Sequence, residues 1–194
     1  MPGCGAGVTI GAYVTSGRDM GPSMLKPSGT ATLVLDPALW QRLKDRNITF
    51  SAVAPATALS GSAEPGVTFV MGIGQVNPVG QGQASFKGGF RLENAGAFVE
   101  ATDPSGGLPT GKAEFSVRTS ANGSASRMKV FDYSVLTALR ISPLDLTFGI
   151  DRTEAKGSPD FTRILAEAFG EGLIDAGAPF GIGSADFGFK PRSA

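Results

Sequence analysis

Glycine and proline interrupt this chain so often that it favours short structural elements joined by many turns. The 194 residues include 28 glycines and 13 prolines, spread along the whole sequence. Glycine destabilises helix interiors, and proline removes a backbone donor from helices and from central strands. The runs between the turns are short and often alternate apolar with polar residues, as half-buried β-strands do. This pattern predicts a mainly β protein.

The alternation is clearest where Ala113, Phe115 and Val117 are separated by polar residues. Such a run places one face of a strand inward and the other outward. Turn sequences separate the runs, among them Asn77-Pro78, the segment 103–107 and Asn122-Gly123. Strands are predicted at 8–14, 30–35, 48–53, 67–71, 83–92, 96–102, 112–119, 127–135, 146–150 and 182–189.

Two short α-helices are predicted, at about 37–46 and 159–170. Asp36 and Ser158 can each cap the first free amides of a helix, and the proline after each suits a first helical turn. The expected fold is a single β-sandwich or flattened barrel, with the helices closing open ends or covering edges. The length fits one domain over residues 1–194, with residues 1–7 as a flexible N-terminus.

The composition argues against several classes of function. The chain contains no histidine, which is the commonest general base and a usual ligand of zinc and haem. Lys plus Arg and Asp plus Glu are both 17, so no net positive charge is available to attract nucleic acid or an anionic membrane surface. No apolar stretch is long enough for a transmembrane helix. The single cysteine, Cys4, has no partner for an intrachain disulfide.

Sequence motifs give no catalytic or metal site. Residues 106–113 come close to a phosphate-binding loop, but Ala113 stands where serine or threonine would hold magnesium, so a hairpin loop is the better interpretation. Asp145, Asp151 and Glu154 do not have the spacing of a compact calcium loop. The remaining acidic candidates occupy outward strand positions or turns, where carboxylates are usually solvated; they are Glu93, Glu100, Asp103, Glu114 and Asp132.

Three segments together resemble a known family. The first is 29–39 with 48–50 and 54–57, the second is 82–92, and the third is the late helix with 176–181. Their order and spacing are similar to those of secreted or surface proteins of actinobacteria related to the haem-transport-associated (HtaA) domain. The similarity spans about residues 29–189, and it implies a β-sandwich with a small helical contribution.

The resemblance also implies a candidate ligand site. Haem-binding members of that family use a tyrosine in the first strand as axial ligand, supported by a histidine near paired glycines. Here Tyr13 takes the place of the tyrosine, and Phe86, before Gly88-Gly89, stands where the histidine would be. A phenolate ligand needs a partner that lowers its pKa, and no histidine supplies one. We therefore expect no cofactor, with haem as the alternative. The residues predicted to lie near a ligand pocket are Tyr13, Phe86, Phe90 and Phe98.

These observations leave three hypotheses. The first is a non-catalytic extracellular or cell-surface protein that acts by binding or self-assembly, with itself or another surface protein as partner. The second is a carrier of haem or of a small hydrophobic molecule. The third is a histidine-free β-barrel enzyme, similar to a cyclase, that works by shaping an apolar cavity. We favour a protein that is not an enzyme. The extracellular location rests on the resemblance, and a cytoplasmic one stays open, as does the removal of a signal peptide.

Overall fold

The computed structural model describes residues 25–61, 63–76, 82–108, 110–134, 139–142 and 147–191. Twelve strands and two helices form within these ranges. In chain order they are β1 (Leu25–Leu35), α1 (Pro37–Asp45), β2 (Thr49–Val53), β3 (Thr57–Ala58), β4 (Gly66–Val76), β5 (Gly82–Lys87), β6 (Gly89–Glu93), β7 (Phe98–Leu108), β8 (Thr110–Thr119), β9 (Ser126–Ser134), β10 (Leu139–Ser142), β11 (Thr147–Gly157), α2 (Pro159–Phe169) and β12 (Pro179–Pro191).

Eight of these strands close into a barrel. Its order is β1, β4, β5, β7, β8, β9, β11 and β12, and β12 pairs with β1 to complete the ring. Every neighbouring pair is antiparallel. The shortest junction joins β9 to β11 through Lys156–Asp132 and Gly157–Phe131. The predicted mainly β fold with two short helices is confirmed, and of the two predicted architectures it is the barrel.

The other four strands extend the sheet beyond this ring. β6 pairs with the first half of β7, β2 pairs with β6, β3 pairs with β4, and β10 pairs with β11. A bulge between Thr102 and Ser105 divides β7, so its first half pairs with β6 and its second half with β5. The turn predicted at 103–107 is therefore wrong: the strand continues through Asp103, whose φ is 50°, and Pro104 occupies a bulge, where its missing N–H is tolerated.

The strand predicted at 83–92 is two strands, separated at Gly88. This glycine has a φ of 86°, and a Cβ at this position would lie 2.2 Å from the backbone nitrogen of Ala56. Only glycine combines a positive φ with so close a backbone contact. The break lets the chain leave the barrel at the end of β5 and continue into the outer strand β6.

Both helices begin as predicted, because each has a local cap. The Asp36 carboxylate accepts hydrogen bonds from the amides of Ala38 and Leu39, at 2.9 and 3.0 Å. The Ser158 hydroxyl accepts from the amide of Phe161 at 3.2 Å and donates to the Lys129 carbonyl at 2.6 Å. Ser158 thereby joins the start of α2 to β9. Capping side chains satisfy amides that the first helical turn leaves free.

Five aromatic side chains form the centre of the core, which we call the aromatic core. All are almost completely buried, and each ring has at least two of the others at centroid distances of 4.8 to 6.3 Å, within the range of favourable aromatic contacts. They come from β6, β8, β9, α2 and β12 and are Phe90, Phe115, Phe131, Phe161 and Phe180. Leu39 and Leu43 of α1 and Leu165 of α2 pack into the same core. The helices therefore cover the part of the barrel that large side chains fill.

The predicted strand at 8–14, the Asn77-Pro78 turn and the flexible N-terminus at 1–7 fall on residues outside the described ranges. The single domain over 1–194 also stays a prediction. Among the residues that the structure describes, neither helix has the length and apolar character needed to cross a membrane.

Candidate functional site

A cavity of about 140 Å³ lies inside the barrel next to the aromatic core. Phe69, Phe115 and Phe131 border it on the side of the core. All eight barrel strands contribute to its walls, which consist of Ala31, Thr32, Leu33, Phe69, Ala84, Phe86, Pro104, Ser105, Gly106, Ala113, Phe115, Phe131, Tyr133, Ile150, Thr153, Ala155, Gly183, Ser184 and Ala185. The cavity is thus a feature of the closed barrel and not of any one hairpin.

Small side chains keep this space open. Ala31 and Ala185 are directly opposite each other on β1 and β12, and Gly106 is opposite Ala113 on β7 and β8. Ala84 contributes a further methyl group from β5. The interior of an eight-stranded barrel is either just filled by side chains or holds one small ligand. The described side chains leave an apolar space of about 140 Å³ in this barrel.

Tyr133 is the main polar group in the wall. Its hydroxyl donates a hydrogen bond of 2.6 Å to the carbonyl of Gly107. Gly106 makes room for this contact, because a Cβ there would lie 2.3 Å from the Tyr133 hydroxyl oxygen. Burial raises the pKa of Tyr133 to about 12, so the side chain is a neutral phenol at physiological pH.

The other hydroxyl groups of the wall also have partners. Thr32 and Ser184 share a hydrogen bond of 2.6 Å across β1 and β12. Thr153 donates to the carbonyl of Ser134, and Ser105 accepts from the Arg127 guanidinium. The wall residues given above include no Asp, Glu, Lys or Arg. The interior is therefore apolar and uncharged. The strand register places Tyr133 and Thr153 on its side, whereas Ser105 and the Thr32–Ser184 pair alternate with inward residues and face outward.

Charged side chains lie on the outer surface of the barrel. Arg118 and Glu100 form an ion pair of 2.8 Å, and the Arg91 guanidinium lies 4.1 Å from the centroid of the Phe98 ring. Lys87 and Asp103, both exposed, are 3.9 Å apart. Across the described parts of the chain, no three His, Cys, Asp or Glu side chains are close enough to hold a metal ion. The described cavity thus has neither a charged acid–base pair nor a cluster of metal ligands.

The structure separates the predicted ligand-binding residues. Phe86 lines the cavity. Phe90 is completely buried in the aromatic core, and Phe98 is half-buried under Arg91 on the outside, so neither contributes to the described wall. Tyr13 lies outside the described residues. Sequence reasoning missed Tyr133, although with only two tyrosines in the chain its place in a predicted strand was a usable signal.

These features define a class of protein: a closed antiparallel barrel of eight strands, with extra outer strands, two helices and an apolar interior space. No family model matches the sequence, and no curated protein matches it significantly. Solved structures do match. The C-terminal domain of HtaA from Corynebacterium glutamicum is 13% identical, with a TM-score of 0.62 over 86% of this chain and 99% of that one.

Two further structures from the same organism have this fold. The N-terminal domain of HtaA is 11% identical, with a TM-score of 0.59 over 88% of this chain and 99% of that chain. The heme binding protein HtaB is 8% identical, with a TM-score of 0.55 over 88% of this chain and 97% of that chain. The chain therefore has the HtaA-like fold, and the resemblance seen in the sequence is confirmed at the level of the fold.

Proposed function

We propose that this protein is a non-catalytic carrier that holds a small apolar molecule inside its barrel. The observation that supports this function is the cavity, which small residues from several strands keep open next to the aromatic core. A barrel with a purely structural role gains stability when large side chains fill such a space. An apolar space that the described side chains leave unfilled is explained if a ligand occupies it.

The size and lining of the cavity indicate the kind of ligand. A dry apolar cavity of about 150 Å³ holds one benzene molecule, and this cavity is about 140 Å³. Phe69, Phe115 and Phe131 present aromatic surface to it. A single-ring or similarly compact apolar molecule would regain the dispersion contacts that the empty wall lacks. We assign no reaction to the site, because the neutral hydroxyls of Tyr133 and Thr153 are already engaged in hydrogen bonds.

Methyl NMR with toluene tests this function. In the wild-type protein we expect saturable ring-current shifts of the Ala31, Ala113 and Ala185 methyl groups. Ala58 and Ala95 are exposed and do not line the cavity, so their methyl groups are internal controls. Toluene that shifts the control methyls as strongly as the cavity methyls, or that produces no saturable shift, would contradict the proposal.

Haem is a second candidate ligand, supported by the shared fold with the heme binding protein HtaB. Two features of this chain argue against ligation of haem by a tyrosine that a histidine supports. The chain contains no histidine, and the pKa of Tyr133 is raised and not lowered. The cavity also has the volume of a single ring, so haem would enter by one edge or require a wider barrel.

A haemin titration distinguishes the alternatives. A Soret shift that disappears in Tyr133→Phe would place haem in the cavity. A shift that disappears in Tyr13→Phe alone would support the tyrosine inferred from the sequence resemblance. The absence of any Soret shift would remove haem and leave the small apolar ligand.

An extracellular or cell-surface location and self-association are further parts of this proposal. Among the described strands, β2 pairs only with β6, so its other edge offers backbone groups to a second chain. Light scattering after size-exclusion chromatography tests self-association, and a monomer at high concentration would contradict it. Fractionation of the producing cells tests the location.

A further inference from the structure

We propose that the cavity selects a neutral, single-ring molecule that carries a hydrogen-bond donor, such as a phenol, and rejects carboxylates of the same size. This inference rests on the proposed function and adds the chemical class of the ligand. It follows from the hydrogen bonds of Tyr133 and from the charges that the wall lacks.

The first argument concerns the direction of hydrogen bonding at Tyr133. A phenol has one proton to donate and lone pairs that accept. The proton of Tyr133 is engaged with the Gly107 carbonyl at 2.6 Å. Toward a ligand the oxygen therefore acts as an acceptor, and the ligand must supply the proton. The Thr153 hydroxyl can likewise only accept from a ligand, because its proton is engaged with the Ser134 carbonyl.

The second argument concerns charge. The described wall contains no Lys or Arg, so an anionic ligand would have no cation to pair with. The Arg127 guanidinium, which bonds the Ser105 hydroxyl, is exposed and is also engaged with the Asp103 carbonyl. Lys87 on β5 and Lys112 on β8 also have exposed side chains. An ionised carboxylate moved from water into such a site loses its hydration without compensation. A neutral ligand with a hydrogen-bond donor loses less hydration free energy, and it regains one hydrogen bond at Tyr133.

Two pairs of isosteric probes separate these arguments. Phenol and toluene have the same number of heavy atoms and differ in one hydrogen-bond donor. Benzamide and benzoate have the same planar shape and differ in charge at neutral pH. We expect benzoate to bind at least about 100-fold more weakly than benzamide. Dissociation constants come from the shifts of the cavity alanine methyls.

Two variants assign the donor preference to Tyr133. In Tyr133→Phe the affinity ratio of phenol to toluene should fall about 2- to 10-fold, the effect of one neutral hydrogen bond. In Gly106→Ala the phenol group is kept but displaced, because the new Cβ would lie 2.3 Å from the Tyr133 oxygen, and the ratio should fall as well. Since each ratio is measured within one folded protein, differences in stability cancel.

The outcomes distinguish this inference from the function on which it rests. If toluene does not bind the wild-type cavity, the carrier function fails and this inference fails with it. If toluene binds but the phenol-to-toluene ratio is unchanged in both variants, the carrier function stands and the donor preference is wrong. Benzoate affinity within tenfold of benzamide affinity would overturn the rejection of anions.

Discussion

Replacing Ala185 by leucine tests whether the interior space is real and whether it is the binding site. Ala185 is 7% exposed, lies opposite Ala31 on β1 and Ile150 on β11, and packs with Met71 and Ala84. Leucine adds three carbon atoms at the cavity wall. At about 0.8 kcal/mol for each buried methylene, filling the space contributes about 2.4 kcal/mol, from which residual strain subtracts. We expect a net stabilisation of about 1–2 kcal/mol and a loss of toluene binding.

The assay is urea denaturation of the wild type and the variant, with and without toluene. A higher midpoint with an unchanged slope reports increased stability. Ala58→Leu is the matched control, because Ala58 is exposed on β3 and the same substitution there should change stability by less than about 0.5 kcal/mol. Destabilisation of Ala185→Leu by about 1–3 kcal/mol would show an already packed interior and refute the reasoning. Stabilisation with unchanged toluene affinity would place the ligand elsewhere.

Three other predictions follow from the fold and the site. Gly88→Ala should destabilise the protein by at least about 2 kcal/mol in urea denaturation, because the residue has a φ of 86° and its Cβ would collide with Ala56; a neutral effect would contradict this. Ser158→Ala should lower the free energy of unfolding by about 1–2 kcal/mol in the same assay, because the Phe161 amide loses its cap. Ser158→Thr keeps a capping hydroxyl and should retain most of the wild-type stability. Because burial raises the pKa of Tyr133 from 10 to about 12, the unfolded chain releases this proton first. The contribution of Tyr133 to the free energy of unfolding should be complete below pH 10 and fall by about 1.4 kcal/mol per pH unit up to about pH 12. The Tyr133→Phe variant should not show this fall.

Local signals explain why the helices could be predicted from the sequence. Asp36-Pro37 and Ser158-Pro159 each place a capping side chain before a proline, and both helices begin there. The alternation around Phe115 likewise correctly predicted which side chains of β8 face inward. In these segments the deciding interactions join residues within a few positions of one another.

Non-local contacts explain where the sequence prediction was wrong. The break at Gly88 depends on the approach of Ala56, which is distant in the sequence. The segment after Asp103 has the composition of a turn, yet it forms a strand because β5 and β8 pair with it on both sides. Turn propensity is a local preference, and pairing on two edges outweighs it.

The cavity was harder to predict than the fold, since eight separate strands contribute to it. Phe86, Phe90 and Phe98 are equivalent in chemistry, but only Phe86 lies at the cavity wall, because the chain leaves the barrel after β5. The alanines that leave the space open carry no signal by themselves. Their role depends on being directly opposite other small residues, as Ala31 and Ala185 are.

Xenon binding in a crystal of the unmodified protein tests the central claim most directly, because xenon enters dry apolar cavities of this size. We predict a single well-occupied xenon peak inside the barrel, between Ala185 and the rings of Phe115 and Phe131. Ordered water molecules in that space, or side chains that fill it and leave no xenon peak, would contradict the account.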